Sequence, residues 1–372
     1  MLTFNVQVTA SNAAGQLDLL GFARPQQLMI EMTSRCNLRC VYCPKGDTEY
    51  NKIPGRDEDM APNWRQRALE VAREVGPLNL MLSGTGETTF MNDWMDAVRP
   101  FRELGARMTM ISNFGRNLSD TEITFLSEFN ALTVSIDSAD ETIMGLVRKK
   151  VSLARITHNI VMVRAAARRA GRKAPEINVN CTVQIANVET LMDLALYCSA
   201  VGADILSLSS LLEPDVPHEL ARGIERLSPE RLAAARRHVI ETISTCRELG
   251  LPLQIQPRLG ALLDGVAEDN VQVANRRTRL CMQPWQQYTV AADGQLFPCC
   301  VTSEPFGHLS QPGNPFDGEA IRAFRKRLLD GDMPEVCRHC SNAPLGDNVT
   351  LMNMVAGFLV QSGTPLTQGV PA

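Results

Sequence analysis

The chain has 372 residues, 44% of them hydrophobic and 21% charged, with 37 basic against 41 acidic side chains. That length can bury a large core and a smaller lobe. The formal charge of −4 argues against a nucleic-acid binder, which would carry a basic footprint. No run reaches the roughly 18 apolar residues of a membrane span.

Residues 1–24 read as an N-terminal arm, with TFNVQV its extended stretch. From 25 to 260, short apolar runs alternate with helical patterns. QLMIEM, LNLMLSG, ARMTMISN, ALTVSID, INVNCTV, ADILSLSSL and the short LPLQIQP predict strands. NWRQRALEVAREV, MDAVRPFRELG, LSDTEITFLSEF, residues 152–170, VETLMDLALYCSAVG and residues 228–249 predict helices. Pro62 opens the first helix and Gly76-Pro77 closes it; Ser119 or Asp120 caps the third, and Ser228-Pro229-Glu230 starts the last. Such alternation packs a parallel sheet against outer helices. About six units fall short of the eight of a closed barrel, so an open barrel and a doubly wound sheet both fit the periodicity.

The pattern changes over 261–344. QQYTVAADGQLFPC predicts a hairpin turning at Asp293-Gly294. FGHLSQPGNPF reads as loop, and DGEAIRAFRKRLLDG as a helix ending at Gly331. Residues 345–372 form a tail with a short helical pattern and a Gly/Pro/Thr end.

Eleven cysteines are the unusual feature. Cys36, Cys40 and Cys43 crowd one short segment; Cys281, Cys299, Cys300, Cys337 and Cys340 lie near the end; Cys181, Cys198 and Cys246 are scattered. The first residues lack the basic, apolar and cleavage regions of a secretory signal. A reducing cytoplasm and cysteine-ligated metal are therefore expected, not a disulfide scaffold. Cys198 and Cys246 are expected to pack.

The segment EMTSRCNLRCVYCPKG follows a strand directly, which places it on a loop at the mouth of the sheet. Three thiolates there can wrap one metal centre. Structural zinc prefers four ligands, whereas three would leave one iron of a cubane open. Spacing alone leaves zinc and ordinary buried thiols in play.

Cys-x3-Cys-x2-Cys, with Tyr42 before the last cysteine, resembles the motif of the radical SAM enzymes. The resemblance implies a partial (β/α)6 barrel. It implies that Cys36, Cys40 and Cys43 hold a 4Fe–4S cluster whose open iron binds S-adenosylmethionine (SAM). Electron transfer would then give a 5′-deoxyadenosyl radical that abstracts hydrogen. LSGTGETTF resembles the family's Gly-Gly-Glu-Pro segment without its proline. Gly84 and Gly86 would let backbone approach the cofactor, and Glu87 would accept from its ammonium group. Asn113 in SNFG, Ser135 in VSIDS, and Arg148 match positions that contact SAM in relatives. Arg148 would pair with the methionine carboxylate; beside Lys149 and Lys150 it also reads as a solvated arginine.

A hairpin and a CxxC turn bring four further thiols into a closed site, suited by spacing to zinc or iron–sulfur, in a lobe thin enough to need a metal. This region resembles the auxiliary-cluster module called SPASM and, with no cysteine group after Cys340, its shortened form, Twitch. The resemblance implies a second 4Fe–4S cluster on Cys281, Cys299, Cys337 and Cys340, with Cys300 a close substitute for Cys299. A fully ligated cluster suits electron transfer. No dinucleotide fingerprint is present to do that work.

Twitch-type relatives include epimerases and dehydrogenases of sugars and aminocyclitols. The 24-residue arm is too short for a leader-peptide or cobalamin module, so the expected partner is a small polar substrate of aminoglycoside type. Flavodoxin or ferredoxin is the expected electron donor, with no nucleic acid and no membrane. The expected reaction is epimerisation at a carbinol carbon, with Cys181 of INVNCTV returning hydrogen from a strand face that would have to meet the pocket. Dehydrogenation, peptide modification and a zinc-stapled scaffold are the alternatives. Glu213 and Asp215 after the sixth strand, and Arg258 after LPLQIQP, are expected to touch substrate.

Overall fold

The computed structural model describes residues 17–211, 221–263, 277–338, 340 and 343–362. Among these, ten strands share one sheet. Seven form the parallel run of the barrel: β1 (Gln27–Ile30), β2 (Asn79–Leu82), β3 (Arg107–Ser112), β4 (Ala131–Ser135), β5 (Glu176–Val183), β6 (Ile205–Ser210) and β7 (Leu253–Ile255). They pair in chain order. The connecting helices are α1 (Pro62–Val75), α2 (Trp94–Arg102), α3 (Asp120–Leu126), α4 (Glu141–Val147), α5 (Leu153–Arg169), α6 (Leu191–Ala200) and α7 (Pro229–Leu249). This is the partial (β/α) barrel that the sequence implies.

Local chemistry explains the helix ends. Pro62 opens α1, and Gly76 closes it with φ of 54°, a conformation that costs glycine little. Ser119 accepts from the Glu122 amide while Glu122 answers Ser119, a capping box that starts α3. Ser152 and Ser228 cap α5 and α7 through the serine bond alone, without the reciprocal one.

Strand alternation divides the sheet into two unlike faces. Leu28, Ile30, Leu80, Leu82, Met108, Met110, Leu132, Val134, Ile177, Val179 and Leu206 are at most 3% exposed and belong to the main apolar core. Each contributes on the order of 1.5–3 kcal/mol by leaving water. The opposite face is partly open and polar. The register sets Ser135 beside Asn180, Asn180 beside Ser207, and Thr182 beside Ser209.

The predicted hairpin forms from β8 (Gln287–Val290) and β9 (Gln295–Phe297), turning through Gly294. Its first strand runs parallel beside β1, with Leu28 opposite Tyr288. One sheet therefore runs through the barrel and the hairpin. β10 (Gly307–His308) lies where the sequence reads as loop. Beyond it, α8 (Glu319–Asp330) ends at left-handed Gly331. Arg277–Arg279 pairs antiparallel with Leu345–Asp347, and α9 (Asn348–Gln361) follows. The described end of the arm is fastened by Trp285, whose Nε1 donates to Leu19 O at 2.8 Å, and by Arg325, which donates to Gly21 O at 3.0 Å. The TFNVQV stretch lies outside the described residues. Among the described residues no helix is long and apolar enough to cross a membrane.

Candidate metal and cofactor site

The first cysteine loop leaves β1 and is fastened at both flanks. Thr33 Oγ1 donates to Asp59 Oδ1 at 2.6 Å, and Arg35 pairs with Asp59 at 2.9 Å. Further on, Arg39–Cys40 forms a short antiparallel bridge with Arg148–Lys149, and Val41 N donates to Val147 O at 2.9 Å. Gly46 ends the loop. A Cβ there would come within 2.5 Å of Cys40 O, so the turn closes only around glycine.

All three thiols of the loop are free. Burial pushes Cys36 up to about 11 and Cys40 up to about 12, and the charges of Cys36 and Cys43 both act on Cys40. Asn113 Nδ2 lies 3.7 Å from Cys36 Sγ, and the Leu38 amide 3.4 Å from it. In the second set, burial raises Cys281 to about 12, with Cys299, Cys340 and Cys337 all adding repulsion. The described residues contain no three His, Cys, Asp or Glu side chains that close on a single point. A cubane places its thiolates on separate irons, so it asks for neighbouring rather than converging sulfurs. The donor sets fit two such clusters on this chemistry. Buried neutral thiols must release protons when iron binds.

The SAM-type residues gather beside the first loop, at the C-terminal ends of β2, β3 and β4. Gly86 is pressed onto backbone: a Cβ would lie 2.2 Å from Thr33 O and 2.6 Å from Arg35 O. Gly84 faces Glu31, which its Cβ would meet at 2.4 Å. Ser135 is half-buried on the polar face. Asn113 Oδ1 accepts from the Gly115 amide at 2.7 Å while its Nδ2 faces Asn37 Oδ1 at 3.0 Å.

Several expectations need correction. The Glu87 carboxylate does not stand free for an ammonium group. It is 3% exposed and accepts from Thr89 N at 3.2 Å, Thr89 Oγ1 at 2.8 Å, Ser112 Oγ at 2.9 Å and Asn113 N at 2.7 Å. It pins the glycine turn to the end of β3. Arg148 is neither solvated nor unpaired: it is buried against Asp137 at 2.7 Å. Tyr42 donates to the same carboxylate at 2.8 Å.

Cys181 is turned away from the polar face. It is fully buried in the apolar core with Val179 and Val183. Its Sγ lies 3.6 Å from Asp137 O and 3.5 Å from Asn187 Nδ2, and burial raises its pKa well above the usual thiol value. The reason is parity: Asn178, Asn180 and Thr182 occupy the polar face, which leaves Cys181 to the helices. Cys198 and Cys246 are buried too. Arg258 lies in the first turn of a short helix (Pro257–Leu263) and pairs with Glu225 at 3.4 Å. Glu213 and Asp215 lie outside the described residues. Cys299 is half-buried and Cys300 exposed.

Four contributors escaped the sequence reading. Gly46 and Asp137 are two. Glu31 is the third: it accepts from Thr85 N at 2.5 Å, Thr85 Oγ1 at 2.7 Å and Ala292 N at 3.2 Å. It thus ties the glycine turn to the hairpin. The fourth, Arg279, is 3% exposed and donates to Cys337 O at 3.0 Å, Arg338 O at 2.6 Å and Ala343 O at 3.1 Å. It clamps the CxxC turn. Asp137 was open to view in VSIDS; the other three act through contacts that no local pattern announces.

A parallel barrel with thiols at its mouth and a second thiol set beside its first strand defines an iron–sulfur enzyme class. The radical SAM superfamily model matches residues 30–195, and the SPASM iron–sulfur cluster-binding domain model matches residues 281–341. The chain therefore carries a radical SAM domain followed by a C-terminal SPASM iron–sulfur domain. It is an enzyme that uses SAM and two 4Fe–4S clusters. It is 25% identical to a probable GTP 3′,8-cyclase of Methanothermobacter marburgensis, over 81% of this chain and 94% of that protein. It is 26% identical to the PqqA peptide cyclase of Rhodopseudomonas palustris, over 86% and 80%. Its fold matches Streptococcus suis SuiB bound to the precursor peptide SuiA, with TM-score 0.58 and 15% identity, over 87% of this chain and 72% of that one.

That last match overturns the expectation of a sugar or aminocyclitol partner. The expectation rested on the short arm and on Twitch-type relatives, whereas SuiB, of the same fold, is bound to a precursor peptide.

Proposed function

We propose that the protein is a peptide-modifying radical SAM enzyme, which forms a radical on a residue of a ribosomally made precursor and leaves a crosslink or an oxidised side chain. The observation that carries this reading is the likeness to PqqA peptide cyclase across most of both chains. When bound, SAM and its cluster supply the 5′-deoxyadenosyl radical, and the second cluster supplies a one-electron redox partner. Cys36, Cys40 and Cys43 hold the first cluster; Cys281, Cys299, Cys337 and Cys340 hold the second.

The polar sheet face supports a peptide. Ser135, Asn180, Ser207 and Gln254 stand side by side across β4 to β7, with Thr182 and Ser209 beyond them. Amides and hydroxyls pair well with peptide groups. A GTP cyclase is the second reading, given the likeness over 94% of such a protein. A triphosphate calls for cations, and among the described residues of β4 to β7 this face offers no lysine or arginine.

The test is incubation of the anaerobically reconstituted enzyme with SAM, a reductant, and either a synthetic library of precursor-like peptides or GTP. Release of 5′-deoxyadenosine with a peptide that has lost a pair of hydrogens is the expected result. Consumption of GTP with every peptide unchanged would refute the proposal.

A further inference from the structure

Asp137 sits just past β4 and is fully buried. Its Oδ2 accepts from Arg148 Nε at 2.7 Å and from Tyr42 Oη at 2.8 Å. Its Oδ1 accepts from Thr182 N at 2.9 Å and Arg148 Nη2 at 3.3 Å. The carboxylate therefore joins the cysteine loop, β5 and the end of α4. A buried carboxylate with this many donors holds its partners in one geometry.

The consequence falls on Arg148. Two of its three nitrogens are engaged by Asp137. The third, Nη1, points to Cys40 Sγ at 3.9 Å. The guanidinium carbon lies 5.4 Å from the centre of the Tyr42 ring, and the backbone bridge between Cys40 and Arg148 fixes the approach. A planar fork held on one side by a carboxylate cannot swing. Its remaining N–H is aimed at the sulfur of a cysteine in the radical SAM motif.

We propose that Asp137 is a positioning residue that holds Arg148 as a hydrogen-bond donor to Cys40, and that this contact raises the reduction potential of the cluster on Cys36, Cys40 and Cys43. Hydrogen bonds to the sulfurs and nearby positive charge favour the reduced, more negative cluster. The inference rests on the assignment of that cluster to this loop and is independent of the substrate. It gives Arg148 a task other than holding the methionine carboxylate. Charge alone would also act in this direction. The geometry adds that the donor must be aimed.

The experiment is an EPR-monitored redox titration of the full-length holoenzyme without SAM, following the reduced signal that changes shape when SAM is added. Iron content and SAM affinity are measured on the same samples. Arg148→Gln should move the midpoint to more negative potential with iron content kept. Arg148→Lys, which keeps the charge but cannot both pair with Asp137 and reach Cys40, should fall between that variant and wild type. Asp137→Glu, which keeps the charge and displaces the fork by one methylene, should also move the midpoint negative. Unchanged midpoints with lower thermal stability would make the pair merely structural and overturn the proposal. Unchanged midpoints with SAM affinity weakened tenfold or more would overturn it in favour of a carboxylate-binding arginine. A wild-type enzyme with no SAM-responsive signal would overturn the cluster assignment as well.

Discussion

Gly86→Ala tests whether the glycine turn and the cysteine loop are built on each other. The new Cβ would lie 2.2 Å from Thr33 O, 2.6 Å from Arg35 O and 2.8 Å from Ser34 C. All three are backbone atoms, so no side chain can rotate away. Relieving the closest contact needs a separation of about 1 Å, which also strains the 2.8 Å bond from Glu87 N to Arg35 O. Overpacking of this kind costs about 1–3 kcal/mol, and the weakened hydrogen bond adds about 1 kcal/mol. A loss of about 2–4 kcal/mol corresponds to a fall in melting temperature of about 4–8 °C, at roughly 2 °C per kcal/mol for a chain this large. Gly145→Ala is the control: its Cβ would meet nothing within 4 Å, and alanine favours a helix interior. Anaerobic calorimetry and iron analysis read both variants. If Gly86→Ala melts with wild type and loads iron fully, the close packing of the two segments is not needed and the reasoning is wrong.

Three other outcomes are expected. Cys181→Ala should lose about 1 kcal/mol of stability by leaving a small core cavity, with 5′-deoxyadenosine formation unchanged; loss of turnover in a stable variant would return this thiol to the chemistry. The double variant Cys337→Ala/Cys340→Ala should lower iron from about eight to about four atoms per chain, whereas Cys300→Ala should leave iron content unchanged by the same assay. Burial works against the charge on Glu128, yet the hydrogen bond from Arg172 at 2.9 Å and the charge of Arg102 hold its carboxyl below the usual range. A lowered folded pKa stabilises above the unfolded value and fades as pH falls through the folded one. Glu128→Gln should therefore cost about 0.5–1 kcal/mol at neutral pH. The difference from wild type should fade as pH falls below the usual glutamate value of about 4.3, as read by urea unfolding.

The strands, the longer helices and the cysteine motifs were legible because each is written locally. Apolar runs bounded by caps and glycines define β1 to β7 and α1, and the spacing of Cys36, Cys40 and Cys43 is fixed by one short loop. α4 escaped notice because ETIMGLV is short and holds a glycine, so its pattern carries little helical signal. With α4 unseen, nothing linked Asp137 to Arg148, which only the turn of that helix brings together. The parallel pairing of β8 with β1 joins residues far apart in sequence, and no local pattern encodes such a contact.

Cys181 shows a different limit. INVNCTV alternates apolar Ile177, Val179 and Val183 with polar Asn178, Asn180 and Thr182, and the thiol falls in the apolar set. Free cysteine behaves as a small hydrophobe, so the alternation itself places Cys181 under the helices once the polar set is given the open face. The substrate was hidden for a more basic reason. A row of serine, asparagine and glutamine side chains offers the same donors and acceptors to sugar hydroxyls as to peptide amides. Residue types alone therefore do not separate the two classes.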